Sequence, residues 1–122
     1  MASRWAGVGV ALLVGALAMP ADADVTTVTG EVVDLECSLG KGDGGRGEAH
    51  AACAMTCARR GNQMAILTAD AVYLVDGDYT ASRNAKLLDF VGRKVDAKGS
   101  VSERDGTQRI TVASMALVKE PE

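Results

Sequence analysis

The segment from residue 94 to residue 112 constrains the fold more than any other part of this sequence. Residues 95, 97, 99 and 101 are apolar or small and alternate with polar residues, a period of two that is typical of a half-buried strand. Asp105-Gly106 follows and favours a two-residue hairpin turn. Ile110 and Val112 begin a return strand. We therefore expect an antiparallel hairpin, with a bulge near Ala113-Ser114 where the alternation slips.

Three more strands and two helices are predicted before this hairpin. The β-branched run from Val25 to Leu35 indicates a first strand, in which Gly30 marks a bulge or a close backbone approach. Two short apolar segments, 63–68 and 71–75, indicate a second hairpin. Helices are expected over 48–60, which is Ala-rich and is stopped by Gly61, and over 82–91. The Gly-rich stretch 38–47 is expected to be a flexible loop.

This order of elements predicts a mainly β fold. Five strands with a helix between the third and the fourth match the plan of an OB-like barrel. Here a helix that carries Cys and His is inserted between strands 1 and 2, within residues 38–61. The alternative is an open antiparallel sheet packed against one or two helices.

The first 23 residues have the pattern of a secretory signal peptide. Arg4 precedes an apolar run that ends at Met19, and Ala21-Asp22-Ala23 fits the small-residue cleavage rule. The apolar run is shorter than the roughly 20 residues that span a bilayer. The sequence thus predicts a signal peptide at 1–23, a periplasmic or secreted OB-like domain at 24–122, and no stable membrane span after cleavage; an uncleaved anchor is the alternative.

Three cysteines and the only histidine form the group that is most informative about function. At about 100° per residue, His50, Cys53 and Cys57 fall within roughly a 60° arc of one helix face. Cys37 follows the first predicted strand and is joined to that helix by twelve mostly small or glycine-flanked residues. Three thiolates and one imidazole match a four-ligand site for zinc or copper. We therefore expect an exported metal-binding protein that uses the ion structurally or in metal handling.

A disulfide is the alternative for the same cysteines. Exported domains sit in an oxidising compartment, where Cys37 bonded to Cys53 or Cys57 would fasten the helix to the barrel. The third thiol would then be buried or bonded to another chain, and His50 would be an ordinary surface residue. The protein would be an OB-like interaction module that docks a protein of the cell envelope and holds no metal.

Other functions are disfavoured by the sequence. C-x-x-C and C-x-x-C-H are absent, which argues against thioredoxin-like redox chemistry and covalent haem. No group that could orient a Cys–His nucleophile pair is identifiable, so no enzyme activity is expected. Oligonucleotide-binding barrels combine a positive groove with stacking aromatics, whereas this chain has a net charge of -3 and only 3% aromatic residues. Nucleic acid is therefore not an expected partner.

Four motifs together resemble those of a family of small exported bacterial OB-type proteins, mostly uncharacterised. They are Gly30-Glu-Val-Val-Asp-x-x-Cys37, His50-x-x-Cys53-Ala-x-x-Cys57, Ala-Ile-Leu at 65–67 and Val-Tyr-Leu at 72–74. The resemblance covers nearly all of the predicted mature chain. It implies the OB-type fold and the grouping of the three cysteines with His50, and it implies no particular reaction.

Overall fold

The structure, a computed structural model, describes residues 25–41 and 48–119. The predicted signal peptide and residues 42–47 of the predicted flexible loop lie outside the described residues. The strands are β1 (Val25–Asp34), β2 (Met64–Leu67), β3 (Val72–Asp76), β4 (Lys94–Arg104) and β5 (Thr107–Leu117). The helices are α1 (Leu35–Lys41), α2 (Glu48–Arg59) and α3 (Ala81–Asn84), with 3-10 turns at Asp78–Thr80 and Ala85–Phe90.

The five strands form one sheet that closes into a ring. Its order is β1-β2-β3-β5-β4, and β4 pairs back onto β1. All neighbours are antiparallel except β3 and β5, which are parallel through the pairs from Tyr73↔Gln108 to Asp76↔Thr111. The mainly β prediction is confirmed, as are a helix between β1 and β2 and a short helix after β3. The alternative of an open sheet is wrong.

Two glycines allow the backbones of this ring to approach closely. A Cβ at Gly30 would overlap the backbone carbonyl of Leu67, so the predicted close approach is confirmed. A Cβ at Gly99 would overlap the carbonyl of Thr111 in the same way. At this point the register of β4 and β5 slips from Lys98↔Ser114 to Gly99↔Val112, which leaves one extra residue on β5 and confirms the predicted bulge.

The apolar core lies inside the ring and continues under α2. Its largest fully buried apolar side chains are Met64, Ile66, Leu87, Ile110, Val32, Val33, Val75 and Val95. Ala54 and Ala58 of α2 belong to the same cluster. Their side chains are small, so the helix can pack close to the sheet. The core therefore positions α2, the helix that carries two of the three cysteines.

The connection between β3 and β4 differs from the single helix predicted over 82–91. Ser82, Arg83 and Asn84 all have positive φ, between 54° and 62°, so the chain makes a left-handed turn before the 3-10 turn that buries Leu87. Left-handed backbone costs roughly 1–2 kcal/mol for each residue with a side chain. Asn84 offsets part of that cost, because its buried Nδ2 donates to the carbonyls of Ala58 and Asn62, 2.9 and 3.0 Å away.

Candidate metal centre

The three cysteines come together at the junction of α1 and α2. Their Sγ atoms all lie within 4.8 Å of one another. Cys53 and Cys57 lie one turn apart on α2, and Cys37 reaches them from α1. Cys53 is exposed, whereas the other two are half-buried, and none of the three forms a disulfide. The sequence prediction that these three residues group together agrees with this geometry.

Helix α1 was not predicted, and it determines where Cys37 lies. The sequence assigned Cys37 to the end of the first strand and residues 38–47 to a flexible loop; this is wrong for residues 35–41, which are helical. Asp34 is the N-cap of the helix, and its Oδ2 accepts the backbone N–H of Cys37 at 3.2 Å. The N–H of Leu35 donates to the carbonyl of Gln63 at 3.1 Å. These two bonds fix the first turn, and with it Cys37.

Helix α2 presents its cysteines beside its buried face. Ala54 and Ala58 pack into the core, and the adjacent line of the helix carries Cys53 and Cys57. The helix ends at Arg59, and the predicted stop at Gly61 follows it, where φ is +86° and the N–H donates to the Ala58 carbonyl. The two cysteines are therefore held at the rim of the core, open to α1 on one side and to solvent on the other.

His50 lies on α2 but not within the group of three sulfurs. Its side chain is only 6% exposed, and its buried Nε2 has no hydrogen-bond partner within residues 25–41 and 48–119. No His50 nitrogen is within 4.8 Å of all three sulfurs. The reason is helical geometry, since His50 precedes Ala54 and Ala58 by four and eight residues and so shares their inward-facing line. The alternative that treats His50 as a surface residue is wrong.

Asp34 belongs to this site as well. It is 1% exposed, and its buried Oδ1 has no hydrogen-bond partner in the part of the chain that the structure describes. The sequence placed Asp34 only in the motif that ends at Cys37 and gave it no role. A sharper signal was present: Asp34 follows the apolar pair Val32-Val33 and stands three residues before Cys37, the spacing of a helix cap.

The Cys57 thiol is shifted towards its protonated form. Burial raises the pKa of Cys57, and the negative charge of Asp34 and the neighbouring Cys53 raise it further, while Arg60 lowers it. A metal ion that binds Cys57 must therefore displace a proton, so binding releases protons and strengthens as the pH rises. The site can chemically hold a thiophilic ion or join two of its sulfurs as a disulfide.

Met55 and Met64 do not extend the cluster. Met64 is fully buried in the apolar core, and Met55 packs against that core from α2.

The described residues contain no helix that is long and apolar enough to cross a membrane. Comparisons of the chain with protein-family models, with curated proteins and with solved structures returned no match.

Proposed function

We propose that this protein is an exported metal-binding protein that holds one zinc or copper ion through Cys37, Cys53, Cys57 and His50. The observation that carries the proposal is the approach of three sulfurs to within 4.8 Å of one another. Thiolates bound to one tetrahedral zinc at about 2.3 Å lie about 3.8 Å apart. The three side chains therefore need only small rotations to bind one ion.

His50 supplies the fourth ligand in this proposal. It is the only histidine of the chain, it lies one helical turn before Cys53, and its buried Nε2 has no hydrogen-bond partner among the described residues. An unpartnered buried imidazole nitrogen is costly, and a metal bond would remove that cost. Because His50 starts on the inward-facing line of α2, its side chain must turn towards the cysteines when the ion binds.

The proposal also covers fold type and location. The ring order β1-β2-β3-β5-β4 and the helical connection between β3 and β4 support an OB-type barrel. The pattern of residues 1–23 supports export to the periplasm or the medium. In that location the ion serves metal handling or fixes α1 against α2.

The test is native mass spectrometry of protein purified without chelator from cells that express the full sequence, together with a thiol count after denaturation. One zinc or copper ion and three free thiols are expected. A metal-free protein that is two hydrogens light, with a single free thiol, would instead support the disulfide-bonded interaction module.

Two substitutions and one control test the ligand set. We expect Cys53→Ser and His50→Ala each to weaken metal binding at least about tenfold, because each removes a ligand. Met55→Leu on the same helix should leave binding unchanged, since Met55 packs against the core. Full metal affinity in both ligand variants would refute the proposed site.

A further inference from the structure

Asp34 contacts Cys37, and its charge acts on the thiol of Cys57. Its Oδ2 accepts the backbone N–H of Cys37, and its charge is one of the causes that raise the pKa of Cys57, after burial. The carboxylate is thus close to cysteines from both helices. It reaches this position because β1 ends at Asp34 and α1 begins at the next residue.

The second oxygen of this carboxylate has no partner among the described residues. Oδ1 is buried, and so is the whole residue, which is only 1% exposed. A buried carboxylate oxygen without a hydrogen-bond donor is costly, and such groups are normally paired with a cation or bound to a metal. The hydrogen bond that caps α1 uses Oδ2 only. The unpartnered Oδ1 is therefore a second, independent indication that a cation binds at this site.

We propose that Asp34 sets the charge of the cysteine site so that it favours zinc, a divalent ion, over the monovalent cuprous ion. This inference rests on the metal-binding function proposed above. Three thiolates and the Asp34 carboxylate carry four negative charges, and His50 is neutral as a ligand. Zinc reduces this to two negative charges and cuprous copper only to three, in a partly buried position where repulsion is poorly screened.

The variant Asp34→Asn tests this inference, since asparagine also caps helices through its side-chain oxygen. Zinc and cuprous affinities are measured separately for wild-type and variant protein, each by competition with a chromophoric chelator. We expect the zinc affinity to fall by about tenfold relative to the cuprous affinity, the size typical of changes to groups around a metal site, because zinc carries the larger positive charge. The ratio of the two affinities therefore shifts about tenfold towards copper.

The ratio distinguishes the role of charge from a structural role. Distorted positions of the cysteines would weaken both ions together, so an unchanged ratio in Asp34→Asn would overturn the inference. Asp34→Ser, a second neutral cap, should reproduce the shift if the asparagine variant folds poorly. Asp70→Asn, in the exposed turn between β2 and β3, makes the same change of net charge and should shift nothing.

The proposed function can fail separately. If wild-type protein binds neither ion, the metal-binding proposal is wrong and the charge argument fails with it. If the wild type binds zinc through its cysteines and Asp34→Asn leaves the ratio unchanged, only the role of Asp34 is wrong.

Discussion

The ring of strands and the segment α1–α2 are held together by different kinds of interaction. The ring combines continuous backbone pairing with a core of fully buried Val, Ile, Leu and Met side chains. The α1–α2 segment contributes two alanines to that core, with Met55 packed against it, and is also fixed by single polar contacts: Asp34 to Cys37, Leu35 to Gln63, and Asn84 to the end of α2.

This difference indicates where the molecule can respond to a ligand. An alanine buries far less apolar surface than the side chains inside the ring, and burial contributes about 25 cal/mol for each Å². The segment with the cysteines is therefore less strongly fixed than the ring beneath it. An ion bound between α1 and α2 would add strong bonds to a segment that contributes fewer large apolar side chains to the core than the ring does.

The largest expected effect comes from Gly99→Ala, which should destabilise the ring. The new Cβ would overlap the Thr111 carbonyl in the β4–β5 ladder, and overpacking of this kind costs about 3 kcal/mol. The loss in the free energy of unfolding is measured by urea denaturation. Gly40→Ala in α1 is the matched control, because nothing lies within 4 Å of its Cβ and alanine is the better helix former. Equal losses of unfolding free energy in the two variants would contradict the difference in stability between the ring and the α1–α2 segment.

Zinc should protect α1 and α2 more than the ring. Binding to the folded state at 100 times the Kd stabilises it by about 2.7 kcal/mol, and local opening of the two helices is suppressed first. Hydrogen exchange with and without zinc is the measurement. We expect amides of α2 to slow more than those of β4, whereas uniform slowing would mean that the segment and the ring open together.

Asn84→Ala should loosen α2 while leaving the ring paired. It removes two hydrogen bonds and leaves the buried Ala58 carbonyl without that donor, at a cost of about 2 kcal/mol. Hydrogen exchange at the C-terminal turn of α2 should accelerate before any amide of β1 does. Thr80→Ala, whose side chain bonds only the nearby Gly77 carbonyl at the surface, serves as the control.

The smallest effect distinguishes the cysteines of α2 from each other. In metal-free protein at pH 7.5, Cys53 should react with iodoacetamide about tenfold faster than Cys57, since only the thiolate reacts and Cys53 is exposed. The raised pKa of Cys57 lowers its thiolate fraction, so its rate should keep increasing at pH values where that of an ordinary thiol has levelled off. Peptide mass spectrometry measures both rates, and equal rates would contradict this environment for Cys57.

Local signals in the sequence were sufficient to predict the strands. Alternating side chains define β4, Asp105-Gly106 forms the turn with positive φ at both residues, and the slip at Ala113 marks the bulge. Each of these features depends on neighbouring residues alone. The pairing of β3 with β5 and the closure of the ring depend on distant segments, which alternation and turn signals do not specify.

The parts that were predicted wrongly depend on contacts that periodicity along the sequence does not show. Helix α1 forms in a sequence with the composition of a loop, because Asp34 caps it and Gln63 accepts its first N–H. The left-handed turn at Ser82–Asn84 is fixed by hydrogen bonds to α2. The helical angles of His50, Cys53 and Cys57 were correct, but periodicity could not show that the line shared with Ala54 and Ala58 faces the core.

The order in which the ring closes has a consequence for biosynthesis. β1 completes its pairing only when β4 is present, with Val25 opposite Ser100, and all three cysteines lie between these strands in the chain. As the polypeptide emerges from its N-terminal end, the thiols therefore appear well before the sheet beneath them can form. During that interval each thiol is open to exchange with any disulfide it meets. The yield of protein with an intact cysteine site then depends on how reducing its surroundings are until the last strand is in place.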